Sequence, residues 1–292
     1  LIQIMICTTT LLLGFGLNGV AVAYLAYGVT FRISGKLFFD KYNGIKEKLE
    51  DISYKTKYAD IKNLLLILWP NTWKEGVVTL ANYIANQGTT IICSLFFTLY
   101  QTGLYSLANQ LVQAIATIAY ALYNTYQPAL QSAYANHDKN RQKSLFSIVI
   151  VSYVFIFSIG MVSLIILGKP LIKFIKPGYE LSIAVVVEVG IYQFILKYRN
   201  CFATYFSTTN RVIYYKAYFF SSIFGIVLSW IVLSISNIGL AGIIIPQIFA
   251  QAIYNGWFWS YKAHKEMEIG PVEITKLGFA GLGELFFRKG GD

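Results

Sequence analysis

Apolar side chains in this sequence run in uninterrupted blocks of about 20 residues, the length a helix needs to cross a hydrocarbon core roughly 30 Å thick. Backbone in lipid has to satisfy its own hydrogen bonds, so repeated blocks of this length restrict the chain to helices. Seven segments fit: Thr8 to Phe31, Val77 to Tyr100, Gly103 to Gln127, Ser144 to Leu167, Leu181 to Phe206, Ala217 to Ile235 and Gly239 to Trp259. The expected fold is therefore an all-α integral membrane protein with about seven transmembrane helices. Composition agrees, with 56% hydrophobic and 13% charged residues where a soluble domain carries about a quarter charged.

Between the first two segments lies the longest hydrophilic stretch, Arg32 to Lys62, with eight basic residues. At its end Ile61, Leu64, Leu65 and Leu68 share a helical face before Trp69, and Pro70 is expected to stop the helix. An apolar stripe beside lysines suits an interfacial helix; the alternative is a coiled soluble linker. Cytoplasmic loops are enriched in Lys and Arg, and sorting the connections by side puts 21 of the 24 basic residues on one face. The other receives only Lys169, Lys173 and Lys176. This count places the N-terminus outside and the C-terminus in the cytoplasm, and it explains the net charge of +10 without a nucleic-acid partner.

Leu1 opens the chain with no basic n-region, so the first apolar block is not read as a signal peptide and the chain is expected to be part of a longer protein. Cys7, Cys93 and Cys201 lack metal or disulfide spacing, and His137 and His264 stand apart from other ligand types. No GxxxxGK[ST], HExxH or GxSxG occurs, so neither a cofactor, a metal site nor an enzyme activity is expected. The Gly-rich stretch after Glu268 is expected to be a mostly flexible cytoplasmic end.

Polar residues at membrane depth are what remain to carry function, because they need partners or water. In the third segment Asn109, Gln113, Tyr120 and Gln127 fall within about 40° of one another at roughly 100° per residue, and Thr117 and Asn124 widen the stripe. The second segment offers Asn82 and Asn86, and the seventh Gln247 and Gln251 just after Pro246, a kink position. These residues are expected to line a hydrated cavity; interhelical hydrogen bonding is the structural alternative. The fourth and sixth segments carry only scattered serines and are expected to face lipid. Glu188, with Tyr192 and Arg199 near the same face, is the candidate for ion coupling or substrate contact, weighed against a purely structural pairing.

Three short motifs then stand out in order: Pro70-Asn71-Thr72-Trp73-Lys74-Glu75-Gly76 opening a span, Leu104-Tyr105-Ser106-Leu107-Ala108-Asn109-Gln110, and Tyr126-Gln127-Pro128-Ala129-Leu130 closing the next. With this topology the chain resembles the polysaccharide transporter branch, the O-antigen unit flippases, of the multidrug/oligosaccharidyl-lipid/polysaccharide exporter superfamily. The resemblance implies two six-helix bundles that rock about a central cavity and move undecaprenyl-pyrophosphate-linked oligosaccharide across the bacterial cytoplasmic membrane. It also implies that residues 1–31 are the last helix of the N-terminal bundle, 32–76 a basic cytoplasmic linker, 77–260 the complete C-terminal six-helix bundle and 261–292 a cytoplasmic tail. Lipid-linked oligosaccharide, membrane lipids and other polysaccharide assembly proteins are the implied partners. A multidrug efflux antiporter would share the fold but favour an acidic, aromatic pocket. An O-antigen polymerase is the rival from another class, and short external loops leave it little to build a site from.

Overall fold

The computed structural model describes residues 2–42, 58–175 and 182–287, and among them every regular element is helical. The chain divides into two units, residues 1–67 and 68–292. In the first, α1 (Ile2–Leu12) packs on α2 (Gly16–Tyr42), and α3 (Tyr58–Tyr83) begins. The predicted first span is thus not one helix. Its break lies at Gly14 and Gly16, whose φ values of +81° and +51° only glycine adopts freely. α2 in turn carries helix through Arg32 into the stretch expected to be a loop; the rest of that loop, residues 43–57, lies outside the described residues.

Pro70 does not stop α3, which runs through it to Tyr83. A proline inside a helix costs about 3 kcal/mol, and the turns beyond it are held by tertiary contacts. Asn71 donates to the Asn210 carbonyl at 3.0 Å, and Trp73 meets Tyr215 edge-on at 5.0 Å. A π turn, Ile84–Gly88, leads into α4 (Thr89–Phe96). The next turn comes at Phe97–Thr98, not at Gln101–Thr102. Thr98 and Gln101 form a capping box that starts α5 (Leu99–Ala135), and α5 continues past Pro128.

The remaining elements of the second unit are α6 (Lys139–Ile175), α7 (Ile183–Thr208), α8 (Tyr215–Ile235), α9 (Ala241–Ala252), α10 (Phe258–Met267) and α11 (Pro271–Phe287). The predicted seventh span is divided at Ile253–Trp257, beyond Pro246, which stays inside α9. Helix α7 packs on α5, α6, α9 and α10, so it forms the centre of this unit. Two described helices, α6 over Lys139–Phe174 and α8, are long and apolar enough by length and composition to cross a bilayer.

Those two helices were expected to face lipid, and each is exposed on one side only. α6 leaves Phe155, Ile159, Val162 and Ile166 exposed but buries Phe146, Ser147, Ser152 and Tyr153. On α8, Ser229 donates to its own Gly225 carbonyl and to the Ile243 carbonyl of α9, both buried bonds.

The expected flexible end is instead helix α11 packed along α6. Its glycines serve close approach. A Cβ built on Gly278 would lie 2.6 Å from the Ser147 carbonyl oxygen, and one on Gly281 would strike Ile148. Small residues let two helix backbones meet in this way, so a glycine-rich segment here signals tight packing.

Candidate functional site

α3 beyond Pro70, the π turn, α5 and α7 wall an open polar cleft. Cavities of about 290 Å³ and 430 Å³ share Asn82 in their walls. The first is lined by Asn82, Asn86, Gln113 and, from α7, Gln193 and Lys197. The second is lined by Glu75, Asn82, Tyr120, Gln127, Asn200 and Thr204, with Tyr214 and Tyr218 beside them.

The π turn places the first of these residues. Widening the spiral leaves main-chain carbonyls open to side-chain donors. Asn86 Nδ2 donates to the Asn82 carbonyl at 2.8 Å, while the Tyr192 hydroxyl and Thr89 Oγ1 both donate to the Ala85 carbonyl at 2.8 Å. With its nitrogen so engaged, Asn86 presents its oxygen to Gln113 Nε2 at 3.2 Å and Gln193 Nε2 at 3.1 Å. Gln193 Nε2 also reaches Asn109 Oδ1 at 2.9 Å, and its own Oε1 is buried without a donor among the described residues.

Behind Asn82 sits Arg199, 1% exposed. Its guanidinium donates to Asn82 Oδ1 at 3.1 Å and to Gln251 Oε1, lies 3.8 Å from the Tyr218 ring, and keeps Nε without a partner among the described residues. Every one of these partners is neutral. Arginine is costly to bury without a carboxylate, and here amide oxygens and an aromatic face take that part. The same network continues outward: Ser221 donates to Gln251 Oε1 at 3.2 Å, Asn255 Nδ2 to Ser221 Oγ at 2.6 Å, and Trp259 Nε1 to Asn255 Oδ1 at 2.9 Å. At the other mouth of the cleft Glu75 accepts from Ser207 at 3.2 Å and Tyr214 at 3.1 Å. Tyr120 shares a hydrogen bond of 3.1 Å with Thr204 and carries Lys197 Nζ 5.4 Å from its ring centre.

The residues predicted to line a cavity therefore separate into three groups. Asn82, Asn86, Gln113, Tyr120 and Gln127 are in the cleft wall. Asn109, Gln247 and Gln251 are buried behind it, Gln247 against Gly225, where a Cβ would come within 2.5 Å of its oxygen. Asn124 is exposed outside both cavities. Of the ion-coupling candidates, Tyr192 bonds to Ala85 and, at 3.3 Å, to Gln247 Oε1, and Arg199 belongs to the Gln251 network. Glu188 is half-buried, with no hydrogen bond or ion pair among the described residues.

Sequence reasoning missed the α7 wall: Gln193, Lys197, Asn200, Thr204 and Ser207. Their spacing of four, three, four and three is a helical stripe. The sequence reading of this helix follows Glu188, Tyr192 and Arg199 instead, which lie on its other face. Glu75 appeared only inside a motif. The free thiols Cys93 and Cys201 are buried, and among the described residues no group of His, Cys, Asp and Glu could hold a metal ion. Searches of protein-family models, curated proteins and solved structures find nothing that matches this chain.

Proposed function

We propose that this chain is a helical bundle of a multi-pass transporter in the bacterial cytoplasmic membrane, passing the headgroup of a lipid-linked oligosaccharide along the α3–α5–α7 cleft. The observation that carries the reading is the chemistry of that cleft. Neutral amides and hydroxyls follow one another along it, with one lysine, Lys197, on the wall and an arginine, Arg199, behind it. Sugar hydroxyls call for donors and acceptors of this neutral kind, and a pyrophosphate calls for the cations. An amide row open on one side fits a second bundle closing over it in alternating access. Buried polar groups with no partner, such as Gln193 Oε1, are satisfied by water or substrate in such a path.

A second reading rests on Glu75. A carboxylate beside Tyr214 and Tyr218 in the larger cavity is the pairing that a cationic, aromatic drug requires, as in multidrug efflux. Vesicles holding the full-length protein and a fluorescent lipid-linked oligosaccharide separate the two. Gln113→Leu should slow headgroup translocation at least about tenfold with the protein level in the membrane unchanged, because an interhelical amide bond in a bilayer is worth only roughly 0.6 kcal/mol. Export of a cationic dye that depends on Glu75, with no oligosaccharide movement, would establish efflux instead. Orientation is tested by single cysteines: Asn140→Cys and His264→Cys should react from the cytoplasmic side only. Tyr179→Cys, at a position outside the described residues, should react from the outer side only.

A further inference from the structure

On the side of α7 away from the cleft, two cavities follow one another along the seam between α6, α7 and the α10–α11 pair. The first, about 270 Å³, is walled by Lys139, Lys143 and Arg211, with Gln142, Tyr205 and Glu266 completing it. Three cations there face one wall carboxylate, which Arg211 already holds at 2.6 Å. Among the described residues Lys143 Nζ reaches only the Glu268 carbonyl, at 2.8 Å, and Lys139 only the edge of the Glu268 carboxylate, at 3.9 Å. Gln142 is 8% exposed, and its amide nitrogen is buried with no acceptor among the described residues. A wall with surplus positive charge and an unsatisfied donor is short of an anionic acceptor.

The second cavity, about 350 Å³, is apolar and lined by Val151, Val154, Phe155, Phe202, Ile274 and Phe279. Ile150, also in its wall, follows Lys143 by seven residues of α6, roughly 10 Å along the axis. The polar and apolar cavities are therefore stacked as the head and the chain of an amphiphile are.

We infer that this seam is a binding site for an anionic phospholipid, with its phosphate among Lys139, Lys143 and Gln142 and an acyl chain between α6 and α11. The site rests on the membrane reading, since only a bilayer supplies such a ligand to the flank of α6, a helix long and apolar enough to span it. The lipid would fasten α11 to α6 and leave the cleft on the opposite side of α7 free.

The test uses the full-length protein, delipidated in detergent, with bound lipid read by native mass spectrometry. Phosphatidylglycerol should remain bound where phosphatidylcholine is lost. Lys139→Gln with Lys143→Gln should weaken phosphatidylglycerol binding about 30-fold, the loss for two basic side chains at an anionic lipid. Thr275→Trp, which fills the apolar cavity from α11, should weaken it about tenfold with both lysines present. Equal retention of the two lipids, or unchanged binding in both variants, overturns the site. Displacement of phosphatidylglycerol by millimolar inorganic phosphate overturns the acyl-chain half and leaves a phosphate pocket. Failure of the membrane reading is a separate result: the protein would then leave the membrane fraction in alkaline carbonate.

Discussion

The two faces of α7 are built by opposite rules. Toward α5 and α3 it presents Gln193, Lys197, Asn200, Thr204 and Ser207; toward α6 it presents Phe194, Tyr198, Phe202 and Tyr205. On the aromatic side each ring touches the next. Phe194 stacks on Tyr198 at 5.4 Å, Tyr198 meets Phe202 at 4.9 Å, and Phe146 of α6 sits edge-on to both Phe202 and Tyr205. On the polar side the contacts are longer-ranged hydrogen bonds bordering open space. One face is joined by ring contacts, with the two seam cavities beside them, and is expected to set stability. The other is held loosely enough to exchange partners and is expected to set function.

The largest effect should come from the aromatic face. Phe202→Ala removes a ring in contact with Phe146, Tyr198 and His264, and should cost about 3–5 kcal/mol in detergent unfolding, with reduced yield. A smaller loss would mean that the aromatic ladder is not the element that holds α6 to α7. Arg199→Lys comes next. It keeps the charge but loses the fork that reaches Asn82 and Gln251 together, leaving a buried amide oxygen unmet at about 1–3 kcal/mol. Translocation should fall as well, because Asn82 is common to both cavities.

Changes confined to the open face should reverse the pattern. Thr204→Val deletes the hydroxyl that meets Tyr120 and should alter stability by less than about 1 kcal/mol while slowing headgroup movement. A variant that destabilised as much as Phe202→Ala would erase the distinction between the faces. Glu188→Gln, with no partner to lose among the described residues, should leave unfolding unchanged. If Glu188 couples an ion, this variant makes transport insensitive to pH and sodium; intact ion dependence in it ends that assignment. Asn124→Ala, on the exposed surface outside both cavities, should change neither property.

The sequence made some of this legible and concealed the rest for identifiable reasons. The helical character of the chain and the polar stripe of α5 follow from block length and from a period of 3.6, and both are local signals. Which members of that stripe open to the cleft depends on how α5 rolls against α6 and α7, and that is set by Ala108, Ala116 and Ala119 packing at full burial. A helix boundary is misplaced where Pro70 is read as a stop. Pro70, Pro128, Pro170 and Pro246 all lie inside helices, because neighbouring contacts outweigh one missing amide. The end of the chain was misread because glycine carries two meanings. Backbone freedom and close approach look alike until a partner helix is placed against Gly278 and Gly281.

The π turn at Ile84–Gly88 gives this segment a tolerance in length that its neighbours lack. Asn82 precedes it, Asn86 lies within it and Thr89 follows, so one extra residue is accommodated between two stretches of ordinary helix. Removing one residue there would let the spiral close to its usual pitch with the flanking stretches still in phase, because the widened turn had already absorbed that residue. The same deletion in the middle of α5, which has no widened turn, would turn everything on one side by about 100° relative to the other. A single-residue deletion in the π turn should thus be tolerated far better than one inside α5, where the polar stripe would be thrown out of phase even though its side chains are all retained.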